Sequence, residues 1–202
     1  MNGYILNTAE DTNIWGSYNH NKSISHLFFL KGKMIQEEKP MLFYEISRKI
    51  YIEKVKTANI LISFGVLIVN EKVKTILQKY VPTYNIQFFD INIYCKEEFI
   101  TKFYAVNICE KIPCIDIENS EYRITNFDPQ NPSYMFYYMK LRKNIFQDFS
   151  YVDMAICKEM ELYIIVSDKI KKIFFEENIK GVSFSDSIDL TYNNRAISEI
   201  IS

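Results

Sequence analysis

Glycine and proline are scarce in this chain, with five of each in 202 residues. Gly3, Gly16, Gly32, Gly65 and Gly181 lie too far apart in sequence to form a glycine-rich phosphate cradle. Histidine occurs only as His20 and His26. None of Cys95, Cys109, Cys114 and Cys157 forms a Cys-x-x-Cys pair. Structural zinc usually needs one closely paired half-site, so a centre built from His20, His26, Cys109 and Cys114 is disfavoured, and no metal or cofactor is expected. The cysteines are expected to be buried free thiols. No window of about 18 apolar residues is present, which excludes a membrane-spanning helix. The formal net charge of −1 argues against a general nucleic-acid or membrane-surface binder, and equally against an acidic mimic of DNA. The first fifteen residues lack the basic start and apolar core of a secretory leader, so a cytoplasmic protein is expected.

Apolar side chains, by contrast, are abundant. Hydrophobic residues make up 48% and aromatics 15%, enough for a substantial core. One α+β domain spanning 1–202 is expected, with a mixed or mostly antiparallel sheet and a few short helices. Residues 119–133, which contain Pro129 and Pro132, are the best candidate for a subdomain seam.

The most legible stretch runs from Glu161 to Ser185. Leu162–Val166 is an apolar run suited to a buried strand. Ser167 follows as a helix N-cap, and Asp168 places a negative charge at the positive helix end. Ile170, Ile173 and Phe174 share one helical face, leaving Lys169, Lys171 and Lys172 on the other. Asn178 and Gly181 can adopt positive φ and end the helix, and Val182–Phe184 returns as a strand. The same pattern occurs earlier: Leu67–Val69, then Asn70 as cap, Glu71, a face of Val73, Ile76, Leu77 and Tyr80, and Pro82 as the stop. Aligned without gaps from Leu67 and Ile164, the two stretches share Val69/Val166, Lys72/Lys169, Lys74/Lys171 and Ile76/Ile173. Two related β-α-β units would explain this, and so would the common physics of capped amphipathic helices.

Elsewhere the readings are coarser. Tyr4–Leu6 reads as an edge strand. His26–Leu30 and Met34–Ile35 flank Lys31-Gly32-Lys33 as a hairpin, followed by a polar loop, Gln36–Pro40. Met41–Ser47, Tyr51–Val55 and Ala58–Phe64 fit strand or helix. Ile86–Ile93, Phe103–Cys109, Ile112–Ile117 and Tyr134–Leu141 read as strands, and Lys96–Phe99 as a turn or short helix. Residues 119–133 read as a loop, and the chain after Ser185 as a polar tail.

No Gly-x-Ser-x-Gly elbow supports a hydrolase triad. Candidate contact residues for a partner are Trp15, an aromatic that can either plug the core or anchor an interface, the acidic set Asp116, Glu118, Glu121 and Asp128, and the helix lysines Lys169, Lys171 and Lys172. For each charged set the plainer alternative is a solvated surface.

Two segments carry a resemblance. In Phe103 to Tyr122 the marks are Tyr104, Asn107, Cys114-Ile115-Asp116 and Glu118-Asn119-Ser120. In Leu162 to Phe184 they are Val166-Ser167-Asp168, Asn178, Gly181 and Phe184. In order and spacing these segments resemble the eleventh family of immunity proteins of bacterial polymorphic toxin systems. The resemblance is clearest over 103–184 and faint before Ala58. It implies a small α+β antidote without catalytic residues that binds a cognate toxin, one acting in the cytosol if the antidote is cytoplasmic. Two other classes stay open at this point: an enzyme using His20, His26 or carboxylates, and an oligomeric assembly component.

Overall fold

A computed structural model describes residues 2–8, 14, 16–36, 43–46, 51–63, 65–125 and 133–191. Trp15, Asp128, Phe64, most of Gln36–Pro40 and the tail beyond residue 191 lie outside the described residues. Of the described residues 41% are strand and 21% helical. The expectation of mixed or antiparallel sheets with short helices therefore holds, but strands outweigh helices more than an α+β description suggests.

Two sheets of matching strand order share one central core. In the first, β4 (Ile60–Ser63), β5 (Val66–Asn70), β9 (Phe103–Ile108) and β6 (Ile86–Asp90) form a sheet in that order. Helix α2 (Glu71–Tyr80) connects β5 to β6. Because β9 runs antiparallel to both, β5 and β6 are parallel to each other, as in a split β-α-β unit. In the second half, β13 (Met154–Cys157), β14 (Ile164–Ser167), β1 (Gly3–Thr8) and β15 (Val182–Ser185) repeat that order, with α4 (Asp168–Glu176) connecting β14 to β15. The added strand β10 (Lys111–Ile112) pairs parallel with β13 at the edge.

The register repeats residue by residue. Val69 faces Tyr104 and Leu67 faces Val106, while Val166 faces Tyr4 and Ile164 faces Leu6. Phe88 lies opposite Val106 and Phe184 opposite Leu6. Ile60 pairs with Val69, and Met154 with Val166. The backbone N–H of each cap residue, Asn70 and Ser167, donates to the residue just before the neighbouring strand: Asn59 at 3.0 Å and Asp153 at 2.9 Å. The two stretches aligned in the sequence thus occupy equivalent places in equivalent sheets. The third strand of each sheet follows its unit in one case (β9) and precedes it in the other (β1).

Alternation along the strands explains the layering, since successive side chains leave opposite faces of a sheet. Leu67, Val69, Val106, Ile164, Val166 and Leu6 enter the central core with Val73, Ile76, Leu77, Ile170, Ile173 and Phe174 of the helices. Val66, Ile68 and Ala105 point the other way, toward a sheet of β2 (Gly16–Tyr18), β3 (Phe43–Ile46), β7 (Asn92–Cys95) and β8 (Glu98–Ile100). Ile5, Ala155, Cys157 and Ile165 point toward β11 (Glu121–Ile124), β12 (Tyr134–Lys140), β16 (Ser187–Asp189) and the short α3 (Ile145–Asp148). Strands buried on both faces read as unbroken apolar runs, which is why IIVS and VLIVN show no alternation in sequence.

Several expectations are corrected. Tyr4–Leu6 is a central strand and not an edge, flanked by β14 and β15. His26–Leu30 forms a 3₁₀ turn rather than a hairpin arm. Ser25 caps it, and the following Gly32 sits at φ 62 against the backbone of Glu110 and Lys111. Ile86–Ile93 is two strands: the chain steps between sheets at Ile91, so β6 and β7 belong to different layers. Of Ile112–Ile117 only the first residue is in a strand; Ile115 adds a single bridge to Leu141. The region 119–133 contains β11, paired along β12. Tyr51–Val55 resolves as the start of α1 (Ile52–Lys56), Ala58–Phe64 as β4, and Lys96–Phe99 as a tight turn into β8 with Lys96 at φ 58.

Candidate functional site

The lysines of α4 are largely built into the fold. Lys169 Nζ donates to the Tyr80 carbonyl at 3.1 Å and to Asp153 Oδ2 at 2.5 Å. Lys72, its counterpart in α2, donates to the Glu177 carbonyl at the end of α4. Each helix therefore sends a lysine from its first turn to the negative end of the other, where a cation is favoured. Lys171 lies 3.6 Å from the centre of the Tyr4 ring, and Lys74 lies 3.5 Å from that of Tyr104. Tyr104 donates its hydroxyl to Glu71, which pushes the phenol up to about 12. Tyr4 meets Asp168 in the same way, and that hydrogen bond raises its pKa. Of the three lysines singled out in the sequence, Lys172 is the one with its head in solvent, at 76% exposure and 3.7 Å from Glu176.

The acidic residues divide similarly. Asp116 shapes a turn: Oδ1 accepts from the Asn119 N–H at 3.2 Å and Oδ2 from the Asn119 side chain at 2.8 Å. Ser120 closes the turn by donating to the Asp116 carbonyl at 2.6 Å and accepting from the Lys140 N–H at 3.0 Å. Glu118 and Glu121 are exposed at the tip of this turn and the start of β11. The Lys140–Asp186 pair, 2.5 Å apart, lies behind it. Asp116, Glu118 and Glu121 thus follow one another along a single turn and the strand it feeds, called the acidic ridge below. Trp15 and Asp128 are outside the described residues.

A feature missed in the sequence is an open cleft of about 400 Å³ between the start of α2 and the β8–β9 turn. Lys56, Glu71, Lys72, Phe99 and Lys102 are among its lining residues. Phe99 is 62% exposed and packs at 5.2 Å against Tyr94. Tyr51, 80% exposed, has Lys96 5.8 Å from its ring centre. Aromatic side chains, Tyr and Phe among them, are enriched at protein interfaces. Alternating Phe99 with charged neighbours in KEEFITK gave no apolar signal to find it by.

The two histidines meet edge to face, ring centres 4.8 Å apart, and both edge onto buried Tyr18. Burial, and then the neighbouring His20, lowers the pKa of His26. Burial pushes Tyr18 up to about 12, and its hydroxyl donates to the Ile24 carbonyl at 2.9 Å. This cluster packs in the first half of the molecule, whereas Cys114 packs in the second, so His20, His26, Cys109 and Cys114 do not come together. Cys109 joins Gln87 and Asn107 instead; burial and then the charge of Glu110 push its thiol up to about 11. Cys114 meets Cys157 and Glu159, and their ligand atoms lie within 4.8 Å of one another. Among the described residues no helix is long and apolar enough to cross a membrane.

A model of the Imm11 immunity protein family matches residues 31–189. No curated protein matches the sequence.

Proposed function

The chain belongs to the Imm11 immunity protein family, and from that premise we propose that it binds and neutralises a cognate bacterial toxin by stoichiometric contact, transforming nothing itself. The family match over 31–189 is the observation that carries this reading, because it spans both β-α-β units and the acidic ridge. The toxin belongs, in this reading, to a polymorphic toxin system used in competition between bacteria, and it acts in the cytosol where the antidote resides. The layered, strand-rich scaffold suits a binder. A preformed surface loses little conformational entropy on association, which leaves more of the contact energy as affinity.

A stable complex needs roughly 1,200–2,000 Å² of buried surface. The acidic ridge is the proposed steering element: Glu118 and Glu121 face solvent, and Asp116 holds the turn that presents them. Lys172 is the proposed contact from α4, while Lys169 and Lys171 act through the fold. Trp15 and Asp128 stay in the proposed surface on their sequence context. Phe99 and Tyr51, in the other half of the molecule, are the aromatic candidates for a separate contact patch.

Co-expression with the product of the neighbouring gene tests the function. Growth is restored and the two chains copurify if the proposal holds. Rescue without a complex, or a complex without rescue, contradicts it.

A further inference from the structure

Two buried thiols in the second half of the molecule converge on one carboxylate. Cys114 and Cys157 are each 0% exposed. Glu159 Oε2 lies 3.9 Å from Cys114 Sγ and 3.5 Å from Cys157 Sγ. A tetrahedral zinc ion, with bonds of about 2.3 Å to sulfur and 2.0 Å to oxygen, holds such ligands about 3.5 Å apart. The side chains therefore already stand near ligand spacing.

The backbone around them is fixed from several directions. The Cys114 N–H donates to Glu159 Oε2 at 3.1 Å, and the Cys114 carbonyl accepts from the Arg142 N–H at 2.9 Å. The Cys157 N–H donates to the Tyr163 carbonyl at 2.9 Å, and the Lys158 N–H to the Ile112 carbonyl at 2.9 Å. The cluster joins the chain just after β10, the end of β13 and the turn into β14. The two-residue β10 is too short to hold this edge through its ladder alone.

We propose that Cys114, Cys157 and Glu159 form a three-ligand site for a thiophilic divalent cation, zinc first among them, with solvent in the open fourth position on the side of the part-buried Glu159. Two sulfur donors select against calcium and magnesium, which take oxygen ligands. On binding, each thiol releases its proton to solvent and its sulfur lone pair forms the metal bond. Two thiolates, one carboxylate and one dication sum to a single negative charge. The Arg142 guanidinium, which acts electrostatically on Cys114, offsets it. The ion would pin the β10 edge and the β13–β14 turn to one point.

The test uses the full chain, purified without chelators or nickel resin. Elemental analysis is expected to find one zinc per chain. Cobalt(II) added to the metal-stripped protein should give a thiolate charge-transfer band that zinc abolishes. A folded chain with only traces of zinc and no such band overturns the proposal, as does a Cys114–Cys157 disulfide in protein prepared without oxygen. Because Cys114→Ser and Cys157→Ser can fail to fold, Glu159→Gln provides the second arm. It keeps the shape and should weaken zinc binding by at least about tenfold. Folded Glu159→Gln binding zinc as tightly as the wild type refutes the site, and Cys109→Ser serves as the control that leaves binding unchanged.

Discussion

Single side chains fix where the elements stop, and Asn178 is the clearest case. It sits at φ 52 just past the end of α4. Its N–H donates to Phe175 and that of Ile179 to Phe174, closing a Schellman motif whose apolar pair, Phe174 and Ile179, joins the central core. Left-handed backbone penalises a β-branched residue most, so Asn178→Val should lower stability by about 1–2 kcal/mol in urea unfolding, while Asn178→Gly should be neutral or slightly stabilising. His26 gives a prediction in pH. Its folded pKa is depressed by burial and by His20, so the unfolded chain binds a proton more readily. The structure is then free of this penalty above the unfolded value of about 6.5, and loses stability as pH falls below it toward the folded value. The thermal midpoint should fall between about pH 6.5 and 5.5 in the wild type and fall less in His26→Leu. An equal slope in both proteins would remove His26 from this role. Caps such as Ser167 and Asn178 were legible because they act within a few residues. The edge-to-face contact of His20 and His26 was not, because it depends on a turn whose 3₁₀ geometry the apolar run HLFFL does not specify.

Between the two helices the repeated elements make a reciprocal set of contacts. Ser167 and Asn70 each serve two partners. Ser167 Oγ accepts from the Ile170 N–H at 3.4 Å and donates to Asp153 at 2.8 Å. Asn70 Oδ1 accepts from the Val73 N–H at 3.1 Å while its amide donates to the Ala58 carbonyl at 3.1 Å. Loss of such a cap costs about 1 kcal/mol. Ser167→Ala should cost more than Asn70→Ala, because it also strips a donor from the Asp153 carboxylate, whose side chain is only 15% exposed. Chemical denaturation of the two variants checks the order, and equal losses would contradict it. Lys169→Met should destabilise by about 1 kcal/mol, held to that by the partial exposure of the lysine. The repeat itself was legible in the aligned lysines and valines. Its completion by β1 and β9 was not, because a strand inserted from a distant part of the chain leaves no local mark. The break at Ile91 was hidden for a related reason: from Phe89 to Ile93 apolar and polar residues keep alternating while the chain changes sheets.

At the scale of the whole molecule, both helices and both central sheets bury their apolar faces in one cluster. The halves are also tied by Lys72 to the end of α4, Lys169 to the end of α2, and Lys180 N–H to Asn59 Oδ1 at 2.9 Å. One core should melt as one unit, so circular dichroism and tyrosine fluorescence should give coincident urea transitions. Removing residues up to Thr8 deletes the strand between β14 and β15 and should abolish that cooperative transition. The family was readable only through Phe103 to Tyr122 and Leu162 to Phe184, and the proposed contact surface was not, since binding surfaces have no spacing rule comparable to a catalytic motif. Charge at Glu118 and Glu121 steers encounter in the proposed complex, so reversing both should slow association by about tenfold, with a smaller effect at high salt. The most direct measurement titrates the activity of the copurifying toxin with increasing amounts of this protein. Stoichiometric inhibition predicts a linear fall to an end point at a fixed molar ratio, with the toxin recovered intact after denaturation. Clearance of the activity by a small fraction of an equivalent, or a chemically altered toxin, would contradict it.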